Sequence, residues 1–232
     1  ILDDGGLEAT DAVFHQEATG HHKNQDHAHV HYTDLTPDNR LVVCDLGTDR
    51  VYTYDVSDQG KLTIVSEFVA EPGTGPRHLV FHPANETIAY LFGELDSTVR
   101  VLSYNKSQGS FEEKQKISTL PDDFQGENGG AAIRISDDGR FVYASNRGHN
   151  SIAVFAVSEK DQLLECIQII STEGDFPRDF ALDPTNDYVL SANQNTDNLT
   201  LFARNKETGL LELRQKDIYA PECVCVYFEK EQ

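Results

Sequence analysis

The sequence predicts an all-β protein built from repeated four-stranded sheets, and three observations support this: turn chemistry, strand alternation and spacing. Similar segments begin near Leu35, Phe81, Ile135 and Leu182, at intervals of 46, 54 and 47 residues. Each contains a short apolar strand, a turn rich in Pro, Asp, Asn or Gly, and an alternating apolar strand, as in a β-hairpin. No segment sustains the 3.6-residue period of a helix.

A second hairpin follows the first in every unit. The four versions are GTDRVYTYDVSDQGKL, LDSTVRVLSYNKSQGSF, GHNSIAVFAVSEKDQLL and NTDNLTLFARNKETGLL. Four strands in a repeat of roughly 40–50 residues are typical of a β-propeller blade. The alternative is a β-sandwich whose hairpins are similar by accident, and four aligned units with matching turns disfavour it.

The repeats divide the chain into blades. We predict one partial β-propeller domain over residues 1–232, with four repeats in 27–220 and the end of an earlier blade in 1–20. Residues 221–229 resemble the start of another repeat, and we expect them to form a ring-closing strand, because propellers close by pairing strands from the two chain ends. The chain starts at Ile1 within a repeat, so we expect a C-terminal portion of about four to five blades.

Composition limits the possible partners. The formal net charge is −20, which disfavours nucleic acid and anionic membranes, since both need a basic surface. No apolar run has the roughly 18–20 residues of a membrane span, and we expect a cytoplasmic protein. An anionic small molecule would need a local cluster of Arg or His.

The four cysteines are expected to be free thiols in a reducing compartment. Cys44, Cys223 and Cys225 lie in apolar, strand-like sequence, which favours burial, and Cys166 is the fourth. The Cys-x-Cys pair is a weak metal signal, because a zinc ribbon needs a second pair.

Histidines are concentrated before the first repeat. His27, His29 and His31 alternate, so an extended strand would place all three on one face. Three imidazoles suit zinc, but one strand offers only two good ligands and nearby arginines repel a cation, so we expect no metal. His27 is expected to face solvent. The same is expected of the polar-loop residues His15, His21 and His22.

Corresponding positions of successive blades converge on the axis of a propeller. Six residues before each turn proline stand His31, Arg77 and Arg178, with His29 one same-face step earlier. A second set, five residues before the third strand, is Leu46, Glu94, Arg147 and Gln194. Arginines beside a carboxylate and imidazoles can bind an anion and transfer protons. The plain alternative is that Glu94 and the arginines are structural ion pairs.

Several motifs together resemble the lactonase family of seven-bladed propellers, from about Gly20 to Phe228. They are LGTDRVYTY, GPRHLVFHP, GELDSTV, FQGEN, DGRFVYASNRGHNSIAVF, STEGDFPRDFALDPT and ANQNTDNLTLF. The family includes propeller-type 6-phosphogluconolactonases and is related to fungal carboxymuconate lactonising enzymes.

The resemblance implies a catalytic set at the channel mouth. By matching motifs, the set is His29 (with His31 as the alternative), Arg77, Glu94 and Arg147. Residues expected to bind substrate are His31, Arg178, Asn128 and Gln194. Many bacterial members have a Glu where this chain has Ala132, so a role for that carboxylate is in doubt.

The implied activity is hydrolysis of a small anionic lactone without a cofactor, most directly 6-phosphogluconolactone to 6-phosphogluconate in the pentose phosphate pathway. Arg77 and Arg147, with Arg178, would hold the anionic group and stabilise the oxyanion. Glu94 or His29 would activate water. Two other functions are open: a carboxymuconate cycloisomerase-like lyase, and a non-catalytic propeller that binds a ligand or partner.

Overall fold

The computed structural model describes residues 4–229, and within them the chain forms four separate β-sheets. Every sheet has four antiparallel strands in sequence order. The predicted all-β architecture of four-stranded blades is therefore confirmed, and the division of the chain at residues 27–220 stays a prediction. Residues 1–3 and 230–232, which belong to the predicted 1–232 domain, lie outside the described part. No helix of residues 4–229 is long and apolar enough to cross a membrane.

The sheets are numbered here as blades in chain order. Blade 1 contains β1 (Val30–Leu35), β2 (Leu41–Asp45), β3 (Arg50–Val56) and β4 (Leu62–Val69). Blade 2 contains β5 (Pro76–His82), β6 (Asn85–Gly93), β7 (Thr98–Asn105) and β8 (Ser110–Ser118). Blade 3 contains β9 (Gly129–Ile135), β10 (Phe141–Arg147), β11 (Ser151–Val157) and β12 (Leu164–Ser171). Blade 4 contains β13 (Pro177–Leu182), β14 (Tyr188–Asn193), β15 (Asn198–Arg204) and β16 (Leu211–Tyr219), with a 3-10 turn at Gln194–Thr196.

One turn recurs between the second and third strands of every blade. Its last residue has a positive φ in all four copies: 55° at Asp49, 53° at Ser97, 54° at Asn150 and 53° at Asp197. Asn and Asp tolerate this left-handed conformation better than other side chains with a Cβ. The turn places the end of each second strand at the same level of the propeller.

Neighbouring blades pack face to face, because the strands alternate apolar side chains toward both neighbours. In β6, Tyr90 and Phe92 pack against blade 3, whereas Ala89 and Leu91 pack against blade 1. The bulky rings meet small residues such as Ala144 of β10. Interdigitation of large and small side chains fills the interface at the density of a protein core. Blades 3 and 4 pack in the same way.

Side-chain amides join the outer strands of adjacent blades. The Gln115 amide of β8 donates to the carbonyl of Leu164 (2.8 Å) and accepts its N–H (2.7 Å). Gln168 of β12 makes the same two bonds with Leu211, at 2.9 and 2.8 Å. We call this two-bond contact the amide clamp. Gln215 occupies the matching position of β16, opposite Leu201 of β15.

The segment before β1 lies along the outer face of blade 1. Its described part contains no strand through residue 29, so the predicted earlier blade in 1–20 stays a prediction. His15, expected in solvent, is instead buried with 6% of its side chain exposed. Its Nδ1 lies 2.5 Å from Asp45 Oδ2 and its Nε2 lies 2.8 Å from the Tyr54 hydroxyl. The expectation was wrong because a polar sequence does not show which distant residues it contacts in the folded chain, here Asp45 and Tyr54.

The C-terminal residues 221–229 form no strand in this chain, and the predicted ring-closing strand stays a prediction. Burial of the cysteines was predicted correctly for Cys44 only. Cys223 is half-buried and Cys225 is exposed, since neither lies in a blade. Cys166 is exposed on the outer strand β12. All four thiols are free.

Replacing Gln168 with Leu removes one amide clamp and leaves two backbone groups of Leu211 without their protein partner. We expect the free energy of unfolding to fall by about 1–2 kcal/mol, since each lost hydrogen bond contributes about 0.5–1.5 kcal/mol. Urea denaturation measures the change. Gln215→Leu is the matched control and should change stability by less than about 0.5 kcal/mol. Equal losses in the two variants would show that the clamp does not stabilise the blade interface.

Candidate functional site

The ends of the inner strands and the loops around them enclose a cavity of about 390 Å³. It is called the mouth cavity here. Among the predicted site residues, five line it: His29, His31, Glu94, Arg147 and Arg178. Lys23, Asn24 and Asp26 complete much of the wall. Most members of the two sets of converging positions deduced from the repeats therefore meet at this cavity, although they lie on four blades, and Arg77 and Gln194 do not line it.

A buried ion-pair group joins blades 2 and 3 at the back of this cavity. Glu94 follows β6, and its Oε2 accepts a hydrogen bond from Arg77 Nε (2.9 Å). The same oxygen forms an ion pair with Arg147, whose Nη2 lies 2.8 Å away. Arg77 also donates to the carbonyl of Ala131, and Arg147 to that of Gly130 (2.7 Å). The exposed side-chain fractions are 3% for Arg77, 8% for Arg147 and 14% for Glu94. Arg77 thus lies behind the cavity rather than in its wall.

Arg178 differs from these two arginines. Among residues 4–229, no hydrogen bond or ion pair is formed by its guanidinium, which is half-buried in the wall of the mouth cavity. It also lines a neighbouring cavity of about 300 Å³ with His31, His78 and Arg134. A guanidinium without a protein anion is available to an anionic ligand.

His31 is a neutral imidazole near physiological pH. Desolvation in the channel wall, together with the Arg77 guanidinium, lowers its pKa to about 4, although Glu94 acts in the opposite direction. His78 lies beside it, with ring centroids 5.1 Å apart, and burial and Arg77 lower the pKa of His78 further, to about 2. Neither ring adds positive charge to the site at neutral pH.

The three alternating histidines do not share one strand, and this prediction was wrong. β1 begins only at Val30, so His27 and His29 lie in the preceding loop. Both face Asp26: His27 Nδ1 and His29 Nε2 each lie 2.9 Å from Asp26 Oδ1. The hydrogen bond from His29 lowers the pKa of the Asp26 carboxyl. His27, which is 65% exposed, faces solvent as expected.

This trio raises the question of a metal. The possible ligand atoms of Asp26, His27 and His29 lie within 4.8 Å of one another. Their polar atoms already contact each other, and Lys23, Arg147 and Arg178 line the adjoining cavity. This charge disfavours a cation, and the expectation of no metal stays a prediction.

Asn128 and Gln194 are placed differently from the other predicted residues. Asn128 lines a second cavity of about 590 Å³ that shares Glu94 and Arg147 with the mouth cavity. Its amide donates to Ser97 Oγ (2.8 Å) and Asn146 Oδ1 (3.0 Å), which favours a positioning role. Gln194 lines neither cavity, and its buried Oε1 has no hydrogen-bond partner within the described chain. Their substrate-binding roles stay predictions.

Ala132 lies away from the mouth. It is fully buried between blades 3 and 4, packed with Phe180 and Val189. A carboxylate on this side chain would be surrounded by apolar groups rather than by the cavity. The presence of Ala132 therefore leaves the composition of the mouth cavity unchanged.

Sequence reasoning missed Asp26, Asp45 and Phe176. Asp26 was hidden among the histidines, and Asp45 stood one residue before the aligned position Leu46. Phe176 has a φ of 63°, and its ring lies 5.1 Å from the Arg147 guanidinium carbon. A guanidinium above an aromatic face is an attractive contact, and it orients Arg147. The sequence signal that could have pointed to Phe176 was its position in the motif Phe-Pro-Arg, two residues before Arg178.

Comparison with known proteins identifies the family and several relatives of this chain. A family model described as "Lactonase, 7-bladed beta-propeller" matches residues 1–228. A 6-phosphogluconolactonase from Bacillus subtilis is 44% identical over 98% of the chain and 65% of its own length. The chain spans 66% of a Lactococcus lactis relative that is 57% identical, so it corresponds to about two thirds of these curated relatives.

Solved structures have the same fold. A protein from Lactobacillus plantarum has 53% identity and a TM-score of 0.96, covering 99% of this chain and 67% of that one. The periplasmic gluconolactonase PpgL from Pseudomonas aeruginosa has 34% identity and a TM-score of 0.89, covering 96% and 62%.

Replacing Glu94 with Ala would leave two buried guanidinium groups without a carboxylate. We expect a loss of about 3–5 kcal/mol in the free energy of unfolding, the usual cost of breaking a buried ion pair. Chemical denaturation measures it. The control is Arg178→Ala, which removes a guanidinium without a protein partner and should change stability by less than about 0.5 kcal/mol. A mild Glu94→Ala effect would contradict the structural importance of this ion-pair group.

His31 should titrate far below an ordinary histidine. Because burial and the arginines lower its pKa to about 4, the unfolded chain binds the proton first as the pH falls below 6.5. This contribution to stability is present above pH 6.5 and is lost as the pH falls toward 4. NMR titration of the His31 ring tests the value, and Arg178→Gln should raise it. A midpoint near 6.5 in the parent would contradict the described environment.

Proposed function

Because this chain belongs to the lactonase family of seven-bladed β-propellers, we propose that the intact protein hydrolyses a sugar lactone, specifically 6-phosphogluconolactone, at the mouth cavity. The names of the Bacillus subtilis and Pseudomonas aeruginosa relatives support this class of substrate. The observation that carries the proposal is Arg178, a guanidinium without a protein partner in the described chain, beside the Glu94 ion-pair group and two imidazoles.

Anion binding is assigned first to Arg178, with Arg147 beside it. The global charge of −20 opposes an anionic substrate, so the local guanidinium groups have to supply the attraction. Arg77 is proposed to act through Glu94, because it is nearly fully buried and contacts that carboxylate directly. Arg147 is then held by Glu94 at the cavity wall, with Phe176 against its face.

The reaction needs a base, an oxyanion-stabilising group and an acid. His29 is proposed to take a proton from water as the water oxygen attacks the lactone carbonyl carbon. The developing oxyanion is stabilised by Arg147, while Arg178 holds the phosphate. The ring C–O bond then breaks, and the imidazolium of His29 returns the proton to the leaving oxygen. The products are a carboxylic acid, which ionises, and a free hydroxyl.

Glu94 is the second candidate for the base, and its geometry favours a different role. Its Oε2 accepts from Arg77 and forms an ion pair with Arg147, which ties it to the arginines. His29 also lines the cavity, and within the described chain only Nε2 of its ring is hydrogen-bonded. We therefore propose His29 as the base and Glu94 as the group that positions both arginines.

A cytoplasmic location and a place in the pentose phosphate pathway are part of this proposal. Four free thiols fit a reducing compartment. A phosphorylated lactone is also a product of intracellular sugar oxidation. The Pseudomonas aeruginosa relative is named as periplasmic, so the location needs its own measurement by cell fractionation.

The test measures 6-phosphogluconolactone hydrolysis by intact protein against the spontaneous reaction. Arg178→Gln should raise KM by about 10–100-fold, because a charged hydrogen bond contributes about 1.5–3 kcal/mol. Gluconolactone without phosphate should be a poorer substrate for the parent and should respond less to this change. Arg214→Gln, at an exposed arginine paired only with Glu212, is the control.

Three results would count against parts of the proposal. A parent that is no faster than the blank rules out this activity, and binding without turnover would indicate the non-catalytic function. An unchanged KM in Arg178→Gln would remove Arg178 from substrate binding.

A further inference from the structure

We propose that two carboxylates outside the predicted site position His29 as the general base: Asp45 fixes its main chain, and Asp26 binds its Nε2 so that Nδ1 accepts the proton. This inference rests on the proposed function, because it names how one residue of that site is prepared for its role. Asp26 and Asp45 are positioning residues here, and neither is assigned a contact with substrate.

Asp45 lies directly beneath the loop that carries His29. Its side chain is fully buried at the end of β2, and Oδ1 accepts the N–H groups of His29 (2.8 Å), Gly47 (2.9 Å) and Thr48 (3.2 Å). Leu46 adds a backbone bond, donating its N–H to the carbonyl of His29 (2.9 Å). Both main-chain polar groups of His29 are therefore held by the end of β2.

The other oxygen of Asp45 is fixed from the opposite side. Its Oδ2 contacts the buried His15, whose second nitrogen contacts Tyr54 and whose ring stacks on Tyr52 with centroids 3.8 Å apart. A carboxylate held through both oxygens cannot rotate freely, so the His29 backbone has a rigid partner. The chain before β1 thus supports the mouth cavity through Asp45.

Gly47 makes this close approach possible. A Cβ at this position would lie 1.9 Å from the carbonyl oxygen of His27 and 2.8 Å from the nitrogen of His29. Any larger residue would push the loop off β2. The glycine lets the loop pack closely on the end of β2. This packing restricts the backbone of residues 27–29, which sets the position of the His29 ring.

Asp26 acts on the ring itself. A neutral imidazole carries one proton, and donation from Nε2 to the Asp26 carboxylate at 2.9 Å leaves the lone pair on Nδ1. Within the described chain, Nδ1 of His29 has no hydrogen-bond partner. In the Ser-His-Asp triad a carboxylate likewise binds one imidazole nitrogen and so leaves the other to accept a proton.

Other charged groups face the same ring. His27 shares the Asp26 oxygen, with its ring centroid 3.8 Å from that of His29. Across the cavity stand the following groups: Lys23, His31, Glu94, Arg147 and Arg178. Asp26 is the carboxylate in direct contact with the His29 ring, so the orientation of the ring is assigned to Asp26.

The test of Asp26 uses Asp26→Ala with Asp58→Asn, an exposed loop carboxylate, as control. We expect kcat to fall by about 10–100-fold with little change in KM, because orientation of the base is lost while the anion-binding arginines remain. An unchanged kcat would overturn the role of Asp26.

A second measurement does not depend on turnover. Acylation of His29 by diethyl pyrocarbonate, followed by mass spectrometry, reports how free the ring nitrogens are. In the parent only Nδ1 is open to acylation, because Nε2 donates its proton to Asp26. Asp26→Ala opens Nε2 as well, so it should speed the modification of His29 about twofold or more, with His22 as an internal reference. Equal His29 rates in parent and variant would overturn the hydrogen-bonded pair even if the protein hydrolyses no lactone. Failure of this pair and failure of the proposed function are therefore distinguishable.

Asp45 is tested by Asp45→Asn and by Gly47→Ala, which moves the loop while keeping the carboxylate. In variants that remain folded by thermal denaturation, kcat should fall about 10-fold or more and KM should change less. If Asp45→Asn does not fold, the kcat of Gly47→Ala tests the role of the loop position. Full kcat in a folded variant of either kind would show that Asp45 serves stability alone.

Discussion

Each blade of this protein is a four-stranded sheet with two apolar faces, and neither face can remain in water. In blade 2, Tyr90 and Phe92 pack against blade 3, and Ala89 and Leu91 pack against blade 1. Because each blade buries both faces in this way, the blades are arranged in succession around an axis. At roughly 25 cal/mol per Å² of buried apolar area, such faces provide the main driving force for assembly. Everything at the mouth depends on this arrangement, because the same packing brings the ends of the inner strands together.

The site is a local exception to the charge of the whole molecule. The chain has 39 acidic and 19 basic residues, yet three arginines gather at the meeting point of blades 2, 3 and 4. Two of them, Arg77 and Arg147, share the single carboxylate of Glu94. In the cavity wall the three cations Lys23, Arg147 and Arg178 outnumber the two carboxylates Asp26 and Glu94, and a low-dielectric wall strengthens the resulting positive field. This balance supports the assignment of an anionic substrate.

Sequence reasoning predicted the fold and the convergence of the charged residues, because a repeat fixes equivalent positions without any knowledge of side-chain contacts. Arg77, Glu94, Arg147 and Arg178 could be aligned on turn prolines and strand starts for this reason. The histidine loop could not be predicted in the same way. Alternation of His27, His29 and His31 implied a strand, but Asp45 and Gly47 hold the loop in another conformation.

Long-range contacts account for the other differences. Nothing in the sequence near His15 indicates that Asp45, 30 residues away, will pair with it. Asn128 lines the second cavity, and its amide bonds to Ser97 and Asn146, which only the folded structure brings within reach. Gln194 shared its repeat position with Glu94 and Arg147, yet a 3-10 turn begins there and removes it from the cavity.

The amide clamp also gives the blade stack a direction. One blade supplies the glutamine side chain and the next supplies the backbone of a leucine, so the two edges of a blade are not equivalent. Contacts of this heterologous kind join head to tail, and they produce closed rings when the rotation per unit fits. Gln215 of blade 4 occupies the position of the glutamine in such a contact. On blade 1, Leu62 begins the outer strand as the clamped leucines do, but its N–H already donates to Asp11. Two glutamine-bearing edges cannot pair with each other through the clamp, so this contact joins blades in one order only.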